Sequence, residues 1–137
     1  MRILRGRGVR WAAAAVLASC MLAAAPAAET DDFDSIMTTA KKNRETPAGA
    51  AYDEAFGHSM QAQLGMAMAK CFTRTPDPDL TKFDMLVKLD PKGKASEVLV
   101  RPETNVALCF KPRIGEATFP EPPEPDYWVH VEMEVTH

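Results

Sequence analysis

Few residues in this 137-residue sequence have the types and spacing that chemistry needs. Gly57-His58-Ser59-Met60 begins like a nucleophile elbow, in which a strained strand-to-helix turn exposes a serine hydroxyl. Position 61 is Gln where that motif requires Gly, and the surrounding periodicity is helical, so Ser59 reads as an ordinary helix residue. Gly93-Lys94 is followed by Ala95 and lacks the upstream glycine of a phosphate-binding loop. His58, Met60, Met66 and Met68 offer the imidazole and thioether ligands that copper favours. On a helix, however, Met66 and Met68 fall on different sides, and methionine at such positions is more often adaptable core filler. The carboxylates sit mainly in turns and on the outer face of the last strand, as a solvated surface would. The expectation is a non-enzymatic chain with no catalytic residues, no metal and no cofactor.

The cysteines carry more information. Residues 1–27 have the layout of an export signal: Arg2, Arg5, Arg7 and Arg10 precede an apolar run from Trp11 to Leu22, and Ala25-Pro26-Ala27 offers small residues for cleavage. The apolar run is short for a membrane span of about 20 residues, and Pro26 closes it. Leu17-Ala18-Ser19-Cys20 also matches a bacterial lipobox, whose cysteine is acylated and becomes the first mature residue. Two readings of Cys20 therefore stand: a residue lost inside an ordinary signal, which the apolar run after it favours, or a lipid anchor. Either way Cys20 leaves no free thiol in the folded part. Cys71 and Cys109 then remain in a chain bound for an oxidising periplasm, with neither a Cys-x-x-Cys partner nor a nearby His, and they read as a disulfide. Closing a loop that long is worth nearly ~4 kcal/mol in the chain-entropy model.

Removing the signal also changes the charge. It holds four of the 16 basic residues and none of the 19 acidic ones, leaving 12 against 19, a formal −7. Phosphate backbones call for clustered Lys and Arg, and the largest cluster, Lys41-Lys42-Asn43-Arg44, has acids on either side. No nucleic acid is expected as a partner, and a membrane only through the lipid anchor.

These residues must be positioned by a small set of elements. Glu29-Thr30-Asp31-Asp32 caps a short helical lead-in over 28–47, with Phe33, Ile36 and Met37 as its apolar side. From residue 48 on, Tyr52, Phe56, Met60, Leu64, Ala67 and Cys71 recur at helical steps and predict an amphipathic helix with Cys71 on its buried face. Phe83, Met85, Val87 and Leu89 alternate along a strand. Asp90-Pro91-Lys92-Gly93-Lys94 suits a type I turn, and Ser96 to Val100 completes a hairpin. Thr104 or its neighbours can start a second helix through Val106, Cys109 and Phe110; Pro112 either ends it near Phe110 or kinks it before Ile114. Phe119 to Pro125 is an extended connector. Tyr127, Val129, Val131, Met133 and Val135 then alternate with Trp128, His130, Glu132 and Glu134 in the clearest strand pattern of the chain. The expected architecture is α+β: a three-stranded antiparallel sheet with two helices on one face, in the order helix-strand-strand-helix-strand, forming one domain over 48–137.

The run Phe83 to Leu89, the Asp-Pro-x-Gly-x turn at Asp90, the strand to Val100, the helix with Cys109, Phe119-Pro120-Glu121-Pro122-Pro123 and a final strand together resemble the C-terminal domain of TonB-type energy transducers. The similarity is greatest to cysteine-containing versions in gliding-motility proteins. The resemblance implies a periplasmic module that binds a cell-envelope protein by adding a strand at a sheet edge. Here that edge would be Tyr127, Trp128, Val129, His130, Val131 and Glu132, with Trp128 as an outward anchor; the same edge would allow a homodimer by strand pairing. Two features depart from the family. The N-terminal apolar segment looks cleavable with no Pro-rich rod behind it, and Asp126-Tyr127-Trp128 replaces the glycine usual before the last strand. A different class fits the same size, acidity and staple: a small periplasmic inhibitor or immunity protein, in one form lipid-anchored, that occludes a cell-wall hydrolase.

Intact mass of protein recovered from the cell envelope checks the N-terminal reading. A chain starting near Ala28 that gains two hydrogens on reduction is expected; one starting at an acylated Cys20 would establish the anchor instead.

Overall fold

The strand Phe83–Leu89 is apolar on both faces. Phe83, Met85, Val87 and Leu89 point one way and Leu86 the other, and all five are at most 1% exposed. Such a strand must lie in the middle of a sheet with cover above and below. The computed structural model describes residues 28–135 and arranges them in that manner. Its elements are α1 (Ala28–Asn43), α2 (Pro47–Arg74), β1 (Phe83–Leu89), β2 (Ala95–Arg101), α3 (Asn105–Gly115) and β3 (Tyr127–Met133). The sheet is antiparallel with order β2-β1-β3, and Val87 pairs with Val98 on one side and Val129 on the other. Residues 1–27, expected from the sequence to be an export signal, and Cys20 among them, lie outside the described residues. No helix among those described is long and apolar enough to cross a membrane.

One face of the sheet carries α2 and α3. The stripe Tyr52, Phe56, Met60, Ala67 and Cys71 is buried against Phe83, Met85, Val87, Val98, Val129 and Phe110, with Leu64 partly covered. Thr46 starts α2 by accepting from the Gly49 amide at 3.0 Å, with Pro47 in the first turn, where a missing N–H costs nothing. Thr104 does the same for α3 through the Ala107 amide. Pro112 does not end α3, which continues to Gly115. The carbonyl left without its donor belongs to Leu108, on an exposed part of the helix where water can serve it. Cys71 and Cys109 join the two helices through a disulfide with Cα atoms 5.8 Å apart.

The hairpin turn is built as its residues require. The Gly93 amide donates to the Asp90 carbonyl at 3.0 Å, and the Asp90 carboxylate accepts from the amides of Lys92 and Lys94. Gly93 has φ +80°, and a Cβ there would sit 2.0 Å from the Phe119 carbonyl oxygen. The turn is therefore docked on the connector as well as closed on itself, with the Phe119 amide donating to the Gly93 carbonyl at 2.8 Å.

The other face corrects an expectation. The segment 28–47 is more than a lead-in: α1 packs across the sheet, burying Phe33 and Ala40 against Leu86, with Ile36, Met37, Leu99 and Trp128 around them. The molecule thus has three layers, with two helices on one face and α1 on the other. Trp128, His130 and Glu132 lie on the α1 side, and the surface expected there to be open is largely covered.

Replacing Cys71 and Cys109 together by alanine is expected to remove about 2–4 kcal/mol of stability. Urea unfolding monitored by circular dichroism checks this, and an unmoved midpoint would show that packing alone ties α2 to α3.

Candidate functional site

A sheet of order β2-β1-β3 has two outer edges, and each is closed in part. The start of β2 is closed, because the Ala95 amide donates to the Ala117 carbonyl at 3.3 Å and Lys94 bridges to Thr118. On β3, Tyr127, Val129, Val131 and Met133 turn their side chains toward α2 and α3. Main-chain groups alternate as well: if Trp128 directs its carbonyl away from β1, then His130 and Glu132 direct theirs away too. Trp128 does so, since its carbonyl accepts from Asn43 Nδ2 at 3.0 Å. One acceptor of the free edge is therefore occupied from within the molecule, and the edge opens at His130.

Asn43 is held firmly. It ends α1, its own carbonyl accepts from Thr46 Oγ1 at 3.2 Å and Tyr127 Oη at 3.5 Å, and α2 approaches so closely that a Cβ on Gly49 would lie 1.7 Å from that carbonyl oxygen. Tyr52 secures the same corner by donating to the Pro120 carbonyl at 2.7 Å, its ring edge-on to Tyr127 at 5.3 Å. Burial pushes both phenols above their ordinary range, so both remain protonated donors.

Alongside the open part of the edge runs a groove of about 490 Å³. Gly57, Gln61, Leu64 and Met68 of α2 form one wall and His130 to Val135 the other, with Phe56, Met60 and Phe110 at its base. A Cβ on Gly57 would meet nothing within 4 Å. A glycine in a helix interior costs about 1 kcal/mol relative to alanine, and here it leaves the groove deep instead. Arg44 and Asp53 pair at 3.7 Å at one end, and Lys82 meets Glu132 at 2.6 Å at the other.

The residues singled out from the sequence are redistributed. Trp128 is half-buried beneath α1, with Lys88 Nζ 5.9 Å from its ring centre, and does not stand outward as an anchor. The reason is the third layer: Leu86, Leu99 and Trp128 form an apolar patch that α1 covers. His130, expected on the solvent side, is buried, and its Nε2 lies 2.7 Å from Asp84 Oδ1. Glu132 is exposed. What the run Tyr127 to Glu132 leaves open is thus its outward main-chain groups from His130 onward, beside a groove. The other candidates are split. Ser59 is in mid-helix; Met60 and Met68 both line the groove, while His58 and Met66 are exposed and not among its lining residues. Asn43 and Gly57 carried no signal of their own in the sequence; the nearest hint was the break before Pro47. No family model, no curated protein and no solved structure matches the chain.

The docking of α1 has an electrostatic component at its far end. Arg101 stacks on Phe33 at 4.2 Å and donates to Asp34, and that hydrogen bond holds the Asp34 carboxyl below the usual carboxylate range. A depressed folded pKa adds stability above the unfolded value of 3.8, and the addition is lost as pH falls through the folded value. Acid below that range is expected to loosen α1 and shift Trp128 fluorescence to the red. Asp34→Asn should lose this component of the pH profile, and an unchanged profile would remove Asp34 from the account.

Proposed function

We propose that this chain is a non-enzymatic protein-binding module of TonB C-terminal type, acting in the periplasm, that captures a cell-envelope protein by adding one of its strands to β3. The observation that carries the reading is the open edge of β3 from His130 onward with a groove beside it. An unpaired strand edge is a hazard that folds usually blunt. This fold closes the start of its β2 edge and one position of β3, and leaves the rest of β3 unpaired with space for side chains next to it. Strand addition uses those two features together: main-chain bonds supply affinity and the adjoining groove supplies selectivity. One further point supports the family likeness. From α2 onward the element order is the one the resemblance implies. The disulfide between α2 and α3 suits an exported domain.

A photo-crosslinking residue at position 134, at the end of the edge, is expected to yield adducts in intact envelopes. The same residue at position 108, on exposed α3, is not. Glu132→Pro should abolish the adduct at 134, because proline removes an outward N–H from an edge strand at a position where the fold itself tolerates it. Adducts from 108 alone, with a cell-wall hydrolase as the captured protein, would replace this reading by the inhibitor role.

A further inference from the structure

The groove also limits what kind of segment can occupy it, given the edge-pairing reading on which this inference rests. Asn43 occupies the Trp128 carbonyl, so a fourth strand begins at His130 and pairs along the rest of β3. Its side chains must alternate. One set enters the groove over Met60, Leu64 and Met68, where Gly57 leaves open space, and is apolar by the nature of those walls. The other set lies on the α1 side, next to His130 and Glu132 across the new strand pair.

The charges on that side are unbalanced. The imidazole of His130 is already engaged by Asp84, and Arg44 at the opposite end of the groove is matched by Asp53. Lys82 pairs with Glu132 alone, and its amine is held above its usual range first by that hydrogen bond and further by the nearby charge of Glu134. No other ion pair involves either carboxylate among the described residues. We propose that the occupant is a short extended segment of a partner protein in which apolar residues alternate with lysine or arginine, the apolar set filling the groove and the cations lying against Glu132 and Glu134. The acidic body of the chain, formally −7 after the first 27 residues, draws such a segment in.

Fluorescence anisotropy of the purified protein at physiological salt tests this, with a labelled peptide of alternating valine and lysine and a counterpart of alternating valine and glutamate. The lysine peptide is expected to bind at least about tenfold more tightly, and Glu132→Pro or Gly57→Trp should each abolish its binding. Gly57→Trp fills the groove from a position where a side chain meets no neighbour, so the test stands even if the proline variant unfolds. Equal binding of both peptides, lost in both variants, would overturn the charge preference and leave edge pairing intact. Binding of the lysine peptide that survives both variants would be adsorption elsewhere on an acidic surface, and would overturn the inference and the edge-pairing reading together. Binding of neither peptide would overturn the inference alone, the edge itself being judged by crosslinking.

Discussion

The burial of β1 on both faces is the constraint from which the rest of the structure follows. Met85, Leu86 and Val87 are three consecutive residues with no exposed surface, and no two-layer arrangement can bury consecutive strand residues. A helix pair on one side and α1 on the other is the solution adopted, with β2 and β3 flanking. Every buried stripe then has a destination. Tyr52 to Cys71 on α2 and Val106 to Ile114 on α3 meet the Met85 face, while Phe33 and Ala40 on α1 meet the Leu86 face. The disulfide fixes the two-helix layer as a unit, but it is the central strand that makes the third layer, α1, necessary.

That third layer links packing to the edge. From Phe33 and Asp34 beside Arg101 on β2, α1 crosses the sheet diagonally to Asn43 at Trp128 on β3. Its far end is held by an ion pair and an aromatic contact, both exposed to salt and pH. Its near end places an amide on an edge carbonyl. The element that completes the core therefore also decides where β3 stops being available, and it leaves the stretch after Trp128 uncovered.

Stability and openness conflict along α2. A helix of 28 residues with Gly57 and Gly65 at positions where a Cβ would meet nothing is less stable than its length allows, and alanine at either would improve it. Gly57 faces the groove. Met60, Leu64 and Met68 nearby are long, unbranched or flexible enough to adapt to a side chain of variable shape, as methionine-rich surfaces do elsewhere. Gly93 is the opposite case, a glycine required by both its backbone angle and the Phe119 carbonyl against it.

By itself the sequence determined the local features. Helical spacing from Tyr52 to Cys71, alternation from Phe83 and again from Tyr127, and the Asp-Pro-x-Gly turn are read from neighbours a few residues apart, and the elements formed where those patterns placed them. The pairing of Cys71 with Cys109 was legible because they are the two cysteines after residue 27. Only the tertiary structure decided which faces were covered. Leu86, Leu99 and Trp128 sit on three different strands, and their common apolar patch exists only once the strands are in register. Read singly, none of the three marks a covered face, so the sequence alone leaves α1 as a lead-in and Trp128 as an exposed anchor. The candidate edge was legible as a strand but not as a site: which carbonyls point outward depends on pairing with β1, and the closing of one of them depends on Asn43, 85 residues away in the chain. Periodicity reports what one segment needs to bury; it carries no information about which distant segment will bury it.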